Sequence, residues 1–268
     1  GLEFAGEVAA LGAGAREWRV GERVFGIAGG GTCAEYLVAH ERTLARIPSS
    51  LDWDKAAAVP EAFITAHDAL TAQAQIRASE RVLIHAVGSG VGLAASQLAR
   101  ALGAVPFGTS RTREKIDRAR EFGLEDGVAL GGDTGPLAEA VARWTDGRGI
   151  DVVLDLVGGS YVQAGVEALG TRGRLILIGT VAGVQTQLDL RRVLTQRLTI
   201  RGTVLRARPL EEKILATRAF ATEVVPLLAR AIVRPVIDSV YPLSQIAEAH
   251  RRLESNATFG KVVVLVEE

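Results

Sequence analysis

Three glycines in five positions, Gly88, Gly90 and Gly92, follow the apolar run Val82-Leu83-Ile84. Behind them Val91, Ala94, Ala95, Leu98 and Leu102 fall at helical spacing, and Gly103 supplies a stop. Strand, glycine turn and helix together bring backbone N–H groups and the positive end of a helix to one place. That combination suits a diphosphate, so Gly88, Ser89, Gly90, Val91 and Gly92 are predicted to cradle a dinucleotide. The spacing is not the common G-x-G-x-x-G, and taken alone the turn equally suits tight strand-to-helix packing.

The next predicted strand weighs between these readings. A dinucleotide cradle places its specificity residue at the following strand end, about 20 residues on. Here that strand ends Gly108-Thr-Ser-Arg-Thr-Arg-Glu-Lys115, with no acidic residue from Ala101 to Arg113. A carboxylate would accept from ribose hydroxyls and repel a 2′-phosphate. Ser110, Arg111 and Lys115 would instead attract that phosphate, so the pattern favours NADPH. Arg113 reads as solvated charge at a helix start. Two further strand ends, Asp155-Leu-Val-Gly-Gly159 and Ile178-Gly-Thr180, put small residues where nucleotides bind in open α/β sheets. The apolar neighbours of Asp155 point to burial and a capping duty rather than catalysis.

These residues need a parallel sheet to hold them. Strands are predicted at Val82–Val87, Ala104–Thr109, Gly127–Leu130, Val152–Val157, Leu175–Ile178 and Leu198–Val204. Helices are predicted between them at Val91–Leu102, Arg113–Phe122, Leu137–Trp144 and Tyr161–Leu169. Residues 1–48 read as short strands, Phe4–Leu11, Arg23–Ile27, Cys33–Val38 and Thr43–Ile47. Helices follow at Leu51–Ala58 and Glu61–Gln73, separated by Val59-Pro60. Past a long helix at Leu210–Arg230, strands return at Val236–Pro242 and Lys261–Val266, with a helix at Leu243–Leu253 between them. The expected division is 1–60 for a partial β domain, 61–232 for the nucleotide domain and 233–268 for a return to the first.

Among 268 residues, 31 basic side chains balance 31 acidic ones, which gives no footprint for nucleic acid or an anionic membrane. Cys33 is the sole cysteine, so neither a disulfide framework nor a cysteine zinc cluster is available, in keeping with a reducing, cytoplasmic setting. No apolar run is long enough to span a bilayer. There is no methionine, so residue 1 is not a translation start. The pattern there also opens in mid-strand, and an N-terminal truncation is expected.

The motifs together resemble those of the medium-chain dehydrogenases/reductases, and among them the zinc-free, zeta-crystallin-like quinone oxidoreductases. The likeness is carried by Ala57-Ala-Val-Pro-Glu-Ala-Phe-Ile-Thr-Ala66, His85-Ala-Val-Gly-Ser-Gly-Val-Gly92, Asp155-Leu-Val-Gly-Gly159, Gly173-Arg-Leu-Ile-Leu-Ile-Gly179 and Gly260-Lys-Val-Val-Val264, and it runs the length of the chain. The resemblance implies an α/β fold, a doubly wound Rossmann sheet inserted in a truncated GroES-like β domain. It implies that Gly179 and Thr180 flank the nicotinamide ribose and that Thr65 lies on a helix near the nicotinamide. It further implies that Leu205, Arg206, Gly260 and Lys261 close over the cofactor, that Val59-Pro60 forms a cis turn, and that the strand Leu198–Val204 joins two copies into a homodimer.

The departures from the family matter as well. Zinc-dependent alcohol dehydrogenases of the superfamily carry a histidine before a glutamate where this chain has Gly1-Leu-Glu3, and one cysteine cannot supply the sulfur ligands. No metal site is expected. A tyrosine that such reductases place near Leu130 is absent here. No catalytic residue is assigned, because hydride transfer to a quinone needs close stacking in a dry pocket and can take its protons from water. His40, His67, His85 and His250 are scattered, and His85 is expected to pack beneath the cradle. The expected activity is NADPH-dependent, metal-free reduction of a quinone. The alternatives are reduction of an enone or enoyl thioester, an activated alkene, and a catalytically idle NADPH-binding homologue.

Overall fold

The computed structural model describes residues 1–266. In chain order the strands and helices begin with β1 (Glu3–Glu7), β2 (Arg23–Ile27), β3 (Leu44–Arg46), α1 (Trp53–Ala57) and α2 (Pro60–Asp68). A π-helical turn, Ala69–Gln73, prolongs α2. Then come β4 (Arg81–Ile84), α3 (Gly90–Ala101), β5 (Val105–Ser110), α4 (Arg113–Ala119), β6 (Asp126–Ala129) and α5 (Pro136–Thr145). They are followed by β7 (Ile150–Asp155), α6 (Ser160–Ala168), β8 (Leu169–Leu177), α7 (Leu190–Gln196) and β9 (Thr199–Gly202). The chain closes with α8 (Leu210–Glu223), α9 (Val225–Ala229), β10 (Ile237–Pro242), α10 (Ile246–Glu254) and β11 (Lys261–Leu265).

These elements form two compact units, residues 1–65 with 205–268, and residues 66–204. The second holds a six-stranded sheet in the order β6-β5-β4-β7-β8-β9, every pair parallel. That is the doubly wound order, whose direction reverses between β4 and β7, where such folds bind their ligands. The central strands read Val82-Leu83-Ile84 and Val152-Val153-Leu154 because both faces are covered; all six side chains are fully buried. The first unit holds the antiparallel sheet β1-β2-β3 and the parallel pair β10-β11.

The structure differs from the sequence expectation in several places. Residues 33–38 do not form a strand, and Tyr36 and Val38 lie exposed. The first strand stops at Glu7, four residues early. Among the described residues no peptide is cis, so Val59-Pro60 is trans. Pro60 opens α2, where its missing N–H costs nothing. The long helix breaks at Val224, ahead of Pro226, whose ring cannot continue it. Helix α7 has no counterpart in the sequence expectation, since Leu190 and Leu194 lie on its exposed side and leave no apolar stripe to read.

The unit boundaries also fall elsewhere than at residues 60 and 232. Helix α8 belongs with the β unit: Arg42 forms a two-pronged ion pair with Glu211 at 2.8 and 3.0 Å, and the Phe25 and Phe220 rings meet at 5.6 Å.

Candidate cofactor site

The chain leaves β4 through His85 and turns at Ala86, a non-glycine residue at φ 53°. The Val87 N–H donates to the carbonyl of Thr109 at 2.9 Å, which ties the turn to the end of β5. Ser89 then caps α3, its hydroxyl accepting from the Gly92 N–H at 3.1 Å. The 12-residue helix has no acidic residue in its first turn to offset its positive end. Gly92 is required by space: a Cβ there would lie 2.6 Å from the Ala86 carbonyl oxygen and 2.7 Å from the Val87 Cα. Gly108 on β5 has the same function toward Val87, whose side chain would meet a Cβ at 2.8 Å. Gly88 is buried; Ser89, Gly90 and Val91 are half-buried.

The neighbouring strand ends beside this turn. Ser110, the last residue of β5, is buried, and its carbonyl accepts from the Leu130 N–H. Arg111 is exposed and Lys115, in the first turn of α4, is half-buried. The Thr112 hydroxyl caps that helix by accepting from the Lys115 N–H at 3.4 Å. Arg113 is spent on Asp117 at 2.9 Å, one turn along. Arg111 also acts on Tyr161: burial raises the phenol's pKa, Arg111 lowers it and Asp155 raises it.

On the other side of the switch point, Asp155 ends β7 fully buried. Its Oδ1 accepts from the Val157 N–H at 2.7 Å and the Gly158 N–H at 2.9 Å, which is the capping duty the sequence suggests. Its carbonyl accepts from the Ile178 N–H at 2.7 Å and the Gly179 N–H at 3.2 Å. A Cβ at Gly179 would lie 2.6 Å from the Leu156 carbonyl oxygen. Thr180 comes next, exposed. The sheet thus gathers Gly88 to Gly92, Ser110, Arg111, Lys115, Gly179 and Thr180 at the carboxyl ends of β4, β5 and β8.

Beneath the cradle lies a group that the sequence reveals only in part. His85 is fully buried, as expected, with Nδ1 3.0 Å from the Thr109 hydroxyl and its ring edge-on to Tyr161 at 5.1 Å. Burial lowers its pKa to about 4 against the opposing pull of Asp155. Asp155 and His85 are each visible in the sequence, but their meeting across adjacent strands is not.

The remaining candidates lie in the other unit. Thr65 is buried on α2, Leu205 is buried and Arg206 exposed. Gly260 sits at φ 94° with Val236 so near that a Cβ would lie 2.3 Å from its carbonyl oxygen. Lys261 is paired with Glu3, whose other oxygen accepts from the Glu61 N–H at 2.8 Å. Burial raises the pKa of Glu61, and the charge of Glu3 adds to the rise. The sequence offers no sign of this carboxylate pair, because 58 residues separate its members. Among the described residues, no three His, Cys, Asp or Glu side chains are grouped so as to hold a metal ion.

Residues 133–264 match the family model described as zinc-binding dehydrogenase, and residues 1–49 match that of the alcohol dehydrogenase GroES-like domain. The quinone oxidoreductase of Lama guanicoe is 32% identical over 270 residues, an alignment that takes in 99% of this chain and 79% of the relative. Squalestatin tetraketide synthase of Phoma sp. (strain C2932) is 31% identical over 276 residues, covering all of this chain but only 10% of the synthase. Among solved structures, a mycobacterial protein in complex with NADPH superposes with a TM-score of 0.90 at 28% identity, over 99% of this chain and 82% of that one. The fold is accordingly a Rossmann sheet joined to a GroES-like unit. The chain belongs to the medium-chain dehydrogenase/reductase superfamily of oxidoreductases, on the quinone oxidoreductase branch.

Proposed function

We propose that the chain binds NADPH and transfers hydride from it to a quinone without a metal. One observation carries the cofactor choice: the exit of β5 offers Ser110, Arg111 and Lys115, and no acidic residue precedes Glu114 there. The residues present fit a dinucleotide, since Gly92 keeps the turn open where a Cβ would collide with backbone, and α3 presents its capped positive end there. NADPH bound at this edge supplies the hydride. Gly88, Ser89, Gly90, Val91 and Gly92 hold its diphosphate, and Ser110, Arg111 and Lys115 select its 2′-phosphate. Gly179 and Thr180 leave room at the ribose next to the nicotinamide. Thr65, Leu205, Arg206, Gly260 and Lys261, of the other unit, are kept as proposed cofactor-binding residues on the strength of the family resemblance alone. The reading assigns no proton donor to the reacting atoms. A reduced quinone takes its protons from water, and the protein's part is orientation.

The identity shared with the quinone oxidoreductases supports this acceptor class. A second reading, reduction of an enone or enoyl thioester, is favoured by the likeness to the JamJ enoyl reductase, with a TM-score of 0.88 at 26% identity. A homodimer joined along β9 is also proposed. That strand lies at the sheet edge with all four residues exposed, so its outer N–H and C=O groups can pair with a second copy. The setting proposed is cytoplasmic, and among the described residues no helix is long and apolar enough to cross a membrane.

The test is stopped-flow oxidation of NADPH and of NADH against quinones, enones and enoyl thioesters. Quinones should turn over with NADPH preferred; turnover of enoyl thioesters alone would install the second reading. Oxidation of neither cofactor by any acceptor, with NADPH still bound, would leave a non-catalytic homologue. Lys115→Ala should weaken NADPH by about tenfold and leave NADH unchanged. Equal affinities in the variant and the parent for both cofactors would refute the phosphate assignment.

A further inference from the structure

We infer that His85 and Asp155 form a buried positioning pair that holds the cradle turn and the 155–159 turn in the geometry the cofactor requires. The inference rests on the cofactor site proposed above and names two residues that never reach it. Asp155 closes β7, His85 follows β4 and Thr109 is the penultimate residue of β5, so the group joins three adjacent strand exits. All three residues are 0% exposed.

The bonds of the group tie neighbouring strand exits together and close the turn after Asp155. The His85 N–H donates to the Leu154 carbonyl at 3.0 Å, locking the start of the cradle onto β7. Its ring reaches Thr109 on β5, and Thr109 through its carbonyl holds Val87 inside the cradle. Asp155 accepts two N–H groups of its own turn and, through its carbonyl, the N–H groups of Ile178 and Gly179.

The choice of residue types is expensive for a role of packing alone. His85 Nε2 and Asp155 Oδ2 are both buried without a hydrogen-bond partner. A buried polar atom left unpaired costs on the order of 1–3 kcal/mol, and more for a charged group. A serine at position 155 would keep an acceptor for the turn without the second, unpaired oxygen, and a carbocyclic side chain at position 85 would remove the unpaired nitrogen. Burial keeps the His85 ring neutral while the Asp155 charge pulls the other way, so the pair is electrostatically linked as well as adjacent. A Cβ on Gly165 of α6 would crowd Leu175 Cδ1 at 3.0 Å and Val153 Cγ1 at 3.1 Å, and would reach only ordinary contact, 3.5 Å, with His85 Nε2. The pair therefore acts through backbone: it sets where the N–H groups of two glycine turns point.

The experiment compares Asp155→Ala, Asp155→Asn, His85→Phe and Thr109→Val with the parent. NADPH affinity is read by fluorescence titration, steady-state constants with a quinone acceptor, and melting temperature by calorimetry. Asp155→Ala and His85→Phe should weaken NADPH about tenfold or more, with kcat at saturating NADPH changed by less than about threefold. Asp155→Asn keeps an acceptor oxygen for the Val157 and Gly158 N–H groups and should recover most of the affinity. Thr109→Val should lose about as much as His85→Phe, which keeps the test open if the alanine variant does not fold. NADPH affinities within twofold of the parent in all folded variants, with only the melting temperature lowered, would overturn the positioning role. A parent that binds no NADPH would overturn the cofactor site itself, and the inference with it.

Discussion

Both units keep a carboxylate away from water, and they satisfy it by different means. In the sheet unit, Asp155 Oδ1 is held by two backbone N–H groups, and among the described residues no ion pair includes it. In the β unit, Glu3 accepts one backbone N–H and pairs with the ammonium of Lys261 on a long flexible stem. A side-chain partner can swing away and be replaced by water, whereas a backbone partner cannot leave without reshaping its turn. Small chemical changes should therefore be severe around β4 and β7 and mild around Glu3, and experiments can break that contrast.

The largest effect is expected at Gly92. The intruding Cβ of Gly92→Ala meets backbone atoms, which cannot rotate away. The variant should lose roughly 3 kcal/mol in denaturant unfolding and its nucleotide binding with it. A loss below the resolution of the measurement would show that the turn yields.

Next comes acid. His85 titrates near 4 when folded and at its ordinary 6.5 when unfolded. The unfolded chain then holds the extra proton between those values, so the contribution of His85 to stability is full above pH 6.5 and lost as pH falls toward 4. That loss is up to roughly 3 kcal/mol. Unfolding of the parent and of His85→Phe across this range should show the parent's curve falling more steeply; parallel curves would refute the depressed value.

Glu61 has the opposite sign. Its folded pKa is raised above the ordinary 4.5, so it favours the fold below that pH and loses that contribution as pH rises through the folded value. Glu61→Gln should be neutral at pH 4 and stabilising at pH 7 in thermal melts. A destabilised variant at pH 7 would mean that the charge of Glu61 is needed.

At the small end, Arg113→Ala should alter neither NADPH preference nor the melting temperature measurably, because the Arg113–Asp117 pair is exposed. A changed cofactor preference would add Arg113 to the phosphate cluster.

The same contrast governs what can be read from the chain. The sheet unit is legible almost strand by strand, since runs such as Val152-Val153-Leu154 are uniformly apolar only where both faces are covered. The site proposed there rests on local signals, the glycines and a strand end with no acidic residue before Glu114. The β unit is legible in part: the strands expected at Arg23–Ile27, Thr43–Ile47, Val236–Pro242 and Lys261–Val266 contain or match β2, β3, β10 and β11, whereas Phe4–Leu11 overruns β1 and Cys33–Val38 forms no strand. Pairs such as Glu3–Lys261 and Arg42–Glu211 join residues far apart in sequence, and no periodicity announces them. His85 and Asp155 fall between these cases, each visible as a residue but not as a pair.

The π-helical turn Ala69–Gln73 can be read as arithmetic on the chain. Such a turn carries one residue more than an α-helical turn needs. Removing a single residue from it would restore an unbroken α-helix and rotate its two flanking segments by about 100° relative to each other. Asp68, whose carboxylate accepts from the Gln73 amide at 3.3 Å and the Thr203 hydroxyl at 3.3 Å, would then leave both partners. The surplus residue is thus a length constraint written into the sequence.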